Sequence, residues 1–118
     1  MRIYTLGTAH GDSTWYRNCS ATLYETQDGA AYLIDCGAPA EASIRRRGLR
    51  IRDIRALFIT HMHEDHVGGL TGVVKNTLKY PGESDRPLTL HFPEARAIEA
   101  FRSWLFAMHL DADAPLLA

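Results

Sequence analysis

The chain has 118 residues, 46% of them apolar and 23% charged, which suits one ordinary globular domain and excludes a disordered or collagen-like chain. Thirteen basic residues stand against fourteen acidic ones, so a net charge of −1 supplies no overall field drawing the protein to nucleic acid or membrane. No apolar run approaches a membrane span, residues 1–5 lack the apolar core of a secretory signal, and two cysteines, Cys19 and Cys36, are too few for a disulfide scaffold, so the expected setting is the cytoplasm with both thiols reduced.

Residues 2–6 are rich in β-formers and stop at Gly7, before the polar stretch 8–13. Residues 18–26 alternate, with Cys19, Ala21 and Leu23 on one face and Ser20, Thr22 and Tyr24 on the other. Asp28-Gly29 then separates this run from the apolar residues 30–35. Two strand-like runs around Asp-Gly predict a hairpin, because glycine accepts the positive φ that a tight hairpin turn requires. The first third of the chain therefore reads as a β-meander.

The remainder reads as alternating helix and strand. Pro39 at a first helical position and Gly48 just past a helix end bracket a helix over residues 39–47. Residues 56–60 read as a buried strand. Beyond Gly68-Gly69, residues 70–78 place Leu70, Val73, Val74 and Leu78 on one helical face. Residues 80–87, with Pro81, Gly82 and Pro87, form a loop, and residues 88–92 form another strand. Pro93 opens the clearest helix, with a buried stripe of Ile98, Phe101, Leu105 and Met108; Trp104 and Phe106 read as core or interface. The polar stretch from Asp111 ends it, and no repeat or linker divides the chain.

One window carries chemistry. Thr60-His61-Met62-His63-Glu64-Asp65-His66-Val67-Gly68-Gly69 puts three of the six histidines and two carboxylates into six residues, between a predicted strand and a predicted helix. Partly buried imidazoles and carboxylates need hydrogen bonds or a cation, and this donor set suits zinc, or iron and manganese less selectively. On an extended segment His61, His63 and Asp65 project to one side, and His66 joins them where the chain turns into the helix. Glu64 is expected to face solvent. Gly68 and Gly69 let the helix start pack close to the strand.

The run from His61 to His66 matches the HxHxDH signature of the metallo-β-lactamase superfamily, and the flanking Thr60 and Gly68-Gly69 are similar to its usual surroundings. Leu33-Ile34-Asp35-Cys36-Gly37 resembles the family's strand-ending ID-x-G element. Asn18-Cys19-Ser20-Ala21-Thr22-Leu23 and Gly7-Thr8-Ala9-His10-Gly11-Asp12 resemble segments of its ribonuclease Z-like and phosphodiesterase-like branches. The resemblance covers residues 2–93. It implies an α/β fold, the αβ/βα sandwich of that superfamily, with only its N-terminal half in residues 1–118: β-meander, helix, metal-loop strand, helix, strand and helix. It implies a site for two zinc ions, with iron or manganese as alternatives, in which His61 and His63 hold the first metal and Asp65 and His66 the second. Asp35 would stand behind these ligands and orient them. The implied activity is metal-dependent hydrolysis of an ester-, lactone- or phosphodiester-type bond by a metal-bound hydroxide, with Asp65 catalytic as the group that orients that water or carries its proton. His10 and Asp12 would contact substrate, and Trp15 and Tyr16 would line a pocket or cover the edge of the meander.

The pattern is incomplete downstream. The family adds a further histidine, a bridging carboxylate and a final histidine, whereas after His66 the only histidines are His91 and His109, both expected to be structural or surface residues. The chain is then a piece of a larger hydrolase, a natural truncation, or a half completed by another copy or partner. Two other functions stay open: a non-catalytic or partner-completed metal-binding half-domain, and an iron-dependent oxidoreductase of the same fold. A half-sandwich leaves one sheet face apolar, which predicts a homo-oligomer. Six arginines between positions 45 and 55 read as a solvated helix face and loop in preference to a nucleic-acid patch. The expected partner is a small-molecule or phosphodiester substrate, with nucleic acid not favoured and no membrane.

Overall fold

Alternating apolar residues in three successive runs build the meander. In the computed structural model, which describes residues 1–9, 18–79 and 88–110, β1 (Arg2–Gly7) pairs antiparallel with β2 (Ala21–Glu25), and β2 pairs antiparallel with β3 (Ala31–Ile34). The β2–β3 turn centres on Asp28-Gly29 as expected; Gly29 has φ 85°, and the Thr26 N–H closes the turn on the Ala30 carbonyl at 2.8 Å.

A parallel partner for β3 requires a crossover, because a tight turn cannot reverse the chain twice. Helix α1 (Ala40–Arg46) and a 3-10 turn (Ile51–Asp53) supply it and lead into β4 (Ile54–Phe58). Two helices, α2 (Glu64–Val67) and α3 (Leu70–Lys79), precede β5 (Thr89–His91), which lies parallel to β4, and α4 (Ala95–Ala107) follows. The sheet is therefore mixed, in the order β1-β2-β3-β4-β5.

Cross-strand partners share a face, and one row runs Tyr4, Leu23, Leu33, Leu57, Leu90. These leucines are fully buried in one cluster with Ile44 of α1, Leu70, Val73 and Val74 of α3, and Phe101 and Leu105 of α4. All the long helices thus cover the same face. The opposite face carries Ile3, Tyr24 and Tyr32 in one row and Ile34, Phe58 and His91 in the next. It stays open, with Ile3 57% and Phe58 39% exposed. This is the apolar face anticipated for a half-sandwich.

Several boundaries move. The fourth strand starts at Ile54 rather than at residue 56, because Ile54 already pairs with Ala31, and it ends at Phe58 because Thr60 turns away to a side chain. Pro39 sits one residue before α1, and Pro93 two residues before α4, where Glu94 accepts the first turn's bond from Ala97 at 3.1 Å. Trp104 and Phe106 are not core: they are 56% and 78% exposed, whereas Ala97, Phe101 and Leu105 of the same helix are buried. The expected loop 80–87, the polar stretch 111–118, the side chain of Leu78, and His10, Asp12, Trp15 and Tyr16 lie outside the described residues. No helix among the described residues is long and apolar enough to cross a membrane.

Candidate metal centre

The histidine loop stands at the C-terminal ends of the parallel strands β3 and β4. Asp35 directly follows β3. It is a buried aspartate, 5% exposed, with a positive φ of 59°, a backbone region rare for side chains other than Asn and Asp. Its N–H bonds the Phe58 carbonyl at 2.8 Å, so the end of β3 stays tied to β4 while the side chain swings toward the loop. There its carboxylate accepts the Thr60 N–H at 2.8 Å and the Thr60 hydroxyl, at 3.0 Å to Oδ1 and 2.8 Å to Oδ2.

Two backbone bonds fasten the next turn. The Cys36 N–H donates to the His66 carbonyl at 2.7 Å, and the Gly69 N–H donates to the Cys36 carbonyl at 2.8 Å. The approach tolerates no side chain: a Cβ on Gly69 would lie 2.7 Å from the Gly37 carbonyl oxygen, and one on Gly37 would meet the Asp65 carbonyl. Close packing at Gly69 was legible in the sequence, but its partner, Gly37, was not.

The loop is not extended through Asp65, contrary to the strand-like alternation expected of it. Helix α2 begins at Glu64, with His63 as its N-cap residue, so Asp65 is brought round by a helical turn. Donor atoms of His61, His63 and Asp65 nonetheless lie within 4.8 Å of one another. The His61 ring packs against His66 at a centroid distance of 3.8 Å and meets His63 edge-on at 4.9 Å. His61 and His63 are exposed, Asp65 and His66 half-buried. Glu64 is exposed, as its variable place in the motif suggested.

His66 is gripped from both sides, Nδ1 at 2.7 Å from Oδ2 of Asp35 and Nε2 at 3.3 Å from Oδ2 of Asp65. A carboxylate only accepts, so the Nδ1 facing Asp35 carries hydrogen and the Nε2 of a neutral ring turns its lone pair on an Asp65 oxygen. Two facing lone pairs repel unless a proton or a cation stands between them. Together with the imidazoles of His61 and His63, this is a donor set that fits a divalent cation of the zinc type.

The remaining candidates lie elsewhere. His91 is exposed on the open sheet face, stacked on Phe58 at 4.6 Å, and His109 is exposed beyond α4. Both cysteines are buried and outside any disulfide; burial, reinforced by the Asp35 charge, pushes the Cys36 thiol up to about 12, which leaves it a neutral wall under the loop. The arginines sit mainly at the far end of the sheet, around the start of β4, where Arg45 pairs with Glu41 at 2.7 Å and Arg50 with Asp53 at 3.1 Å. Thr60 was noticed only as a flank of the motif; its bonds to Asp35 span 25 residues and leave no local signature.

A family model described as Anti-Pycsar protein Apyc1 matches residues 1–102. The chain belongs to this family. Ribonuclease Z of Pseudomonas putida (strain GB-1) is 43% identical over 98 residues, covering 80% of this chain and 30% of the relative. Ribonuclease Z of Synechococcus sp. (strain CC9605) is 39% identical over 95 residues, again 80% of this chain and 30% of the relative. The crystal structure of human tRNase Z, short form, superposes with a TM-score of 0.79 at 23% identity, covering 98% of this chain and 42% of that one. These likenesses put this Apyc1-family chain in the ribonuclease Z-like branch of the metallo-β-lactamase superfamily, with the mixed sheet and helices of that fold. It spans about 30% of the length of the curated relatives it matches.

Proposed function

We propose that His61, His63, Asp65 and His66 hold divalent metal, zinc first among the candidates, and that the protein serves hydrolysis of a phosphodiester bond. The observation that carries this reading is the donor cluster within 4.8 Å, backed by the grip of Asp35 on His66. The name ribonuclease Z on relatives 43% and 39% identical supports a phosphodiester and brings nucleic acid forward as substrate, in place of the small molecule first favoured. When bound, the cation supplies Lewis acidity, neutralising charge on phosphoryl oxygens and lowering the pKa of water from about 15.7 toward about 7.

The chain's own residues do the positioning. Asp35 holds the rings of His66 and, through Thr60, His61 against rotation. Asp65, half-buried beside His66, orients the attacking water and takes up its proton. Exposed His61 and His63 leave the donor cluster open to a polymeric phosphodiester.

Metal analysis of the purified full chain, with bis(p-nitrophenyl) phosphate as a generic phosphodiester probe, tests the reading. Zinc, iron or manganese bound near stoichiometrically, and lost in His63→Ala with folding stability changed by no more than about 0.5 kcal/mol, is the expected result. Metal no higher than trace, or a His63→Ala variant that binds as well as the wild type, overturns it.

A further inference from the structure

We infer that Thr60 is a positioning residue that sets the tautomer of His61, so that His61 offers Nε2 and not Nδ1 to a cation. The inference rests on the metal-site reading above and goes beyond it by assigning a role to a hydroxyl that touches no cation. It follows from counting protons. A threonine hydroxyl has one hydrogen to give and two lone pairs with which to accept. Both oxygens of the Asp35 carboxylate, at 3.0 and 2.8 Å, can only accept, so the Thr60 hydrogen is directed to Asp35. Toward the Nδ1 of His61, 3.1 Å away, the hydroxyl has only lone pairs left. Nδ1 must then be the donor, which leaves Nε2 of the neutral ring with its lone pair free.

The same carboxylate fixes His66 directly, because Nδ1 of that ring faces Asp35 at 2.7 Å. One buried aspartate thus determines the proton placement of two neighbouring imidazoles, one by contact and the other through Thr60. The two ring centroids lie 3.8 Å apart with the planes tilted by 49°, and each ring presents Nδ1 to this network. The Thr60 N–H donates to the same Asp35 oxygen, so the hydroxyl's direction is locked by its own backbone. Partners of this kind, one step behind a ligand, typically contribute 10- to 100-fold in metal affinity.

Thr60 is exposed, so its side chain can be changed without opening the core. Long-range nitrogen–proton NMR correlations of the histidine rings, recorded on metal-free full chain, read the tautomer directly. Wild type and Thr60→Ser are expected to carry hydrogen on Nδ1 of His61, and Thr60→Val to lose that preference while His66 keeps its own. Zinc affinity, measured by competition with a chromogenic chelator, is expected to fall about 10- to 100-fold in Thr60→Val and to recover in Thr60→Ser. A wild-type His61 with hydrogen on Nε2 overturns the inference, and so does a Thr60→Val protein that keeps both tautomer and affinity. Because the spectra need no metal, a wild type that bound no zinc would overturn the proposed function while the spectra still decided the role of Thr60.

Discussion

The leucine row and the histidine loop are neighbours on the same strands, yet they are held by opposite means. Leu23, Leu33, Leu57 and Leu90 lock together by burial alone, each strand donating one side chain to a layer under the helices. Asp35, Thr60, His61 and His66 sit just beyond the ends of β3 and β4 and are held by directed hydrogen bonds, two of the four residues being exposed. Burial is non-directional and tolerates small displacements, whereas a hydrogen bond fails within a few tenths of an ångström. The core therefore sets stability and the loop sets geometry, and substitutions ought to separate the two.

The largest effect is expected from Leu57→Ala, which empties the centre of the row and should cost about 2–5 kcal/mol in urea unfolding; a loss below about 1 kcal/mol would show that the row is not the core. Asp35→Asn straddles both regions. It leaves His66 and Thr60 facing an amide in place of an acceptor-only group, and about 1–3 kcal/mol of stability should go together with most of the zinc affinity. Isothermal calorimetry and denaturation on the same sample check this, and unchanged affinity would detach Asp35 from the site.

Cys36 sharpens the boundary by titration. Its thiol ionises near 9.0 in an unfolded chain but is pushed up to about 12 in the fold. Between those values the unfolded state binds fewer protons, so stability falls as pH rises through the window, by at most about 1.4 kcal/mol per pH unit. Denaturation of wild type and Cys36→Ala from about pH 8 to about pH 11 should show the extra slope only in the wild type. The smallest effect on stability is expected at the exposed His63, whose replacement by alanine should abolish the proposed metal binding while changing stability by no more than about 0.5 kcal/mol.

What was legible in the sequence follows the same division. HxHxDH is contiguous, and the gathering of His61, His63 and Asp65 could be expected because imidazoles and carboxylates crowded at a strand end need a cation or hydrogen bonds. The meander was legible because Leu23 alternates with Thr22 and Tyr24 before Asp28-Gly29 and the apolar run of residues 30–35 follows it. Thr60 with Asp35 was not, since a parallel pairing between β3 and β4 brings them together from 25 residues apart and no local pattern encodes that register. Helix α2 was missed for another reason: four residues make a single turn, too short for the 3.6-residue period to declare itself. Pro93 misled because it suits a first helical position, whereas Glu94 takes the cap and the helix begins after it.

The contact of Gly69 with Gly37 has a consequence for how such a loop can diverge. Where two segments meet peptide against peptide, the gap between them is ruled by bond lengths common to every amino acid, not by the reach of any side chain. Donors on either side can be exchanged for others without moving the frame that carries them. The spacing of the site is in this sense written in the main chain, and its chemistry is free to change on top of it.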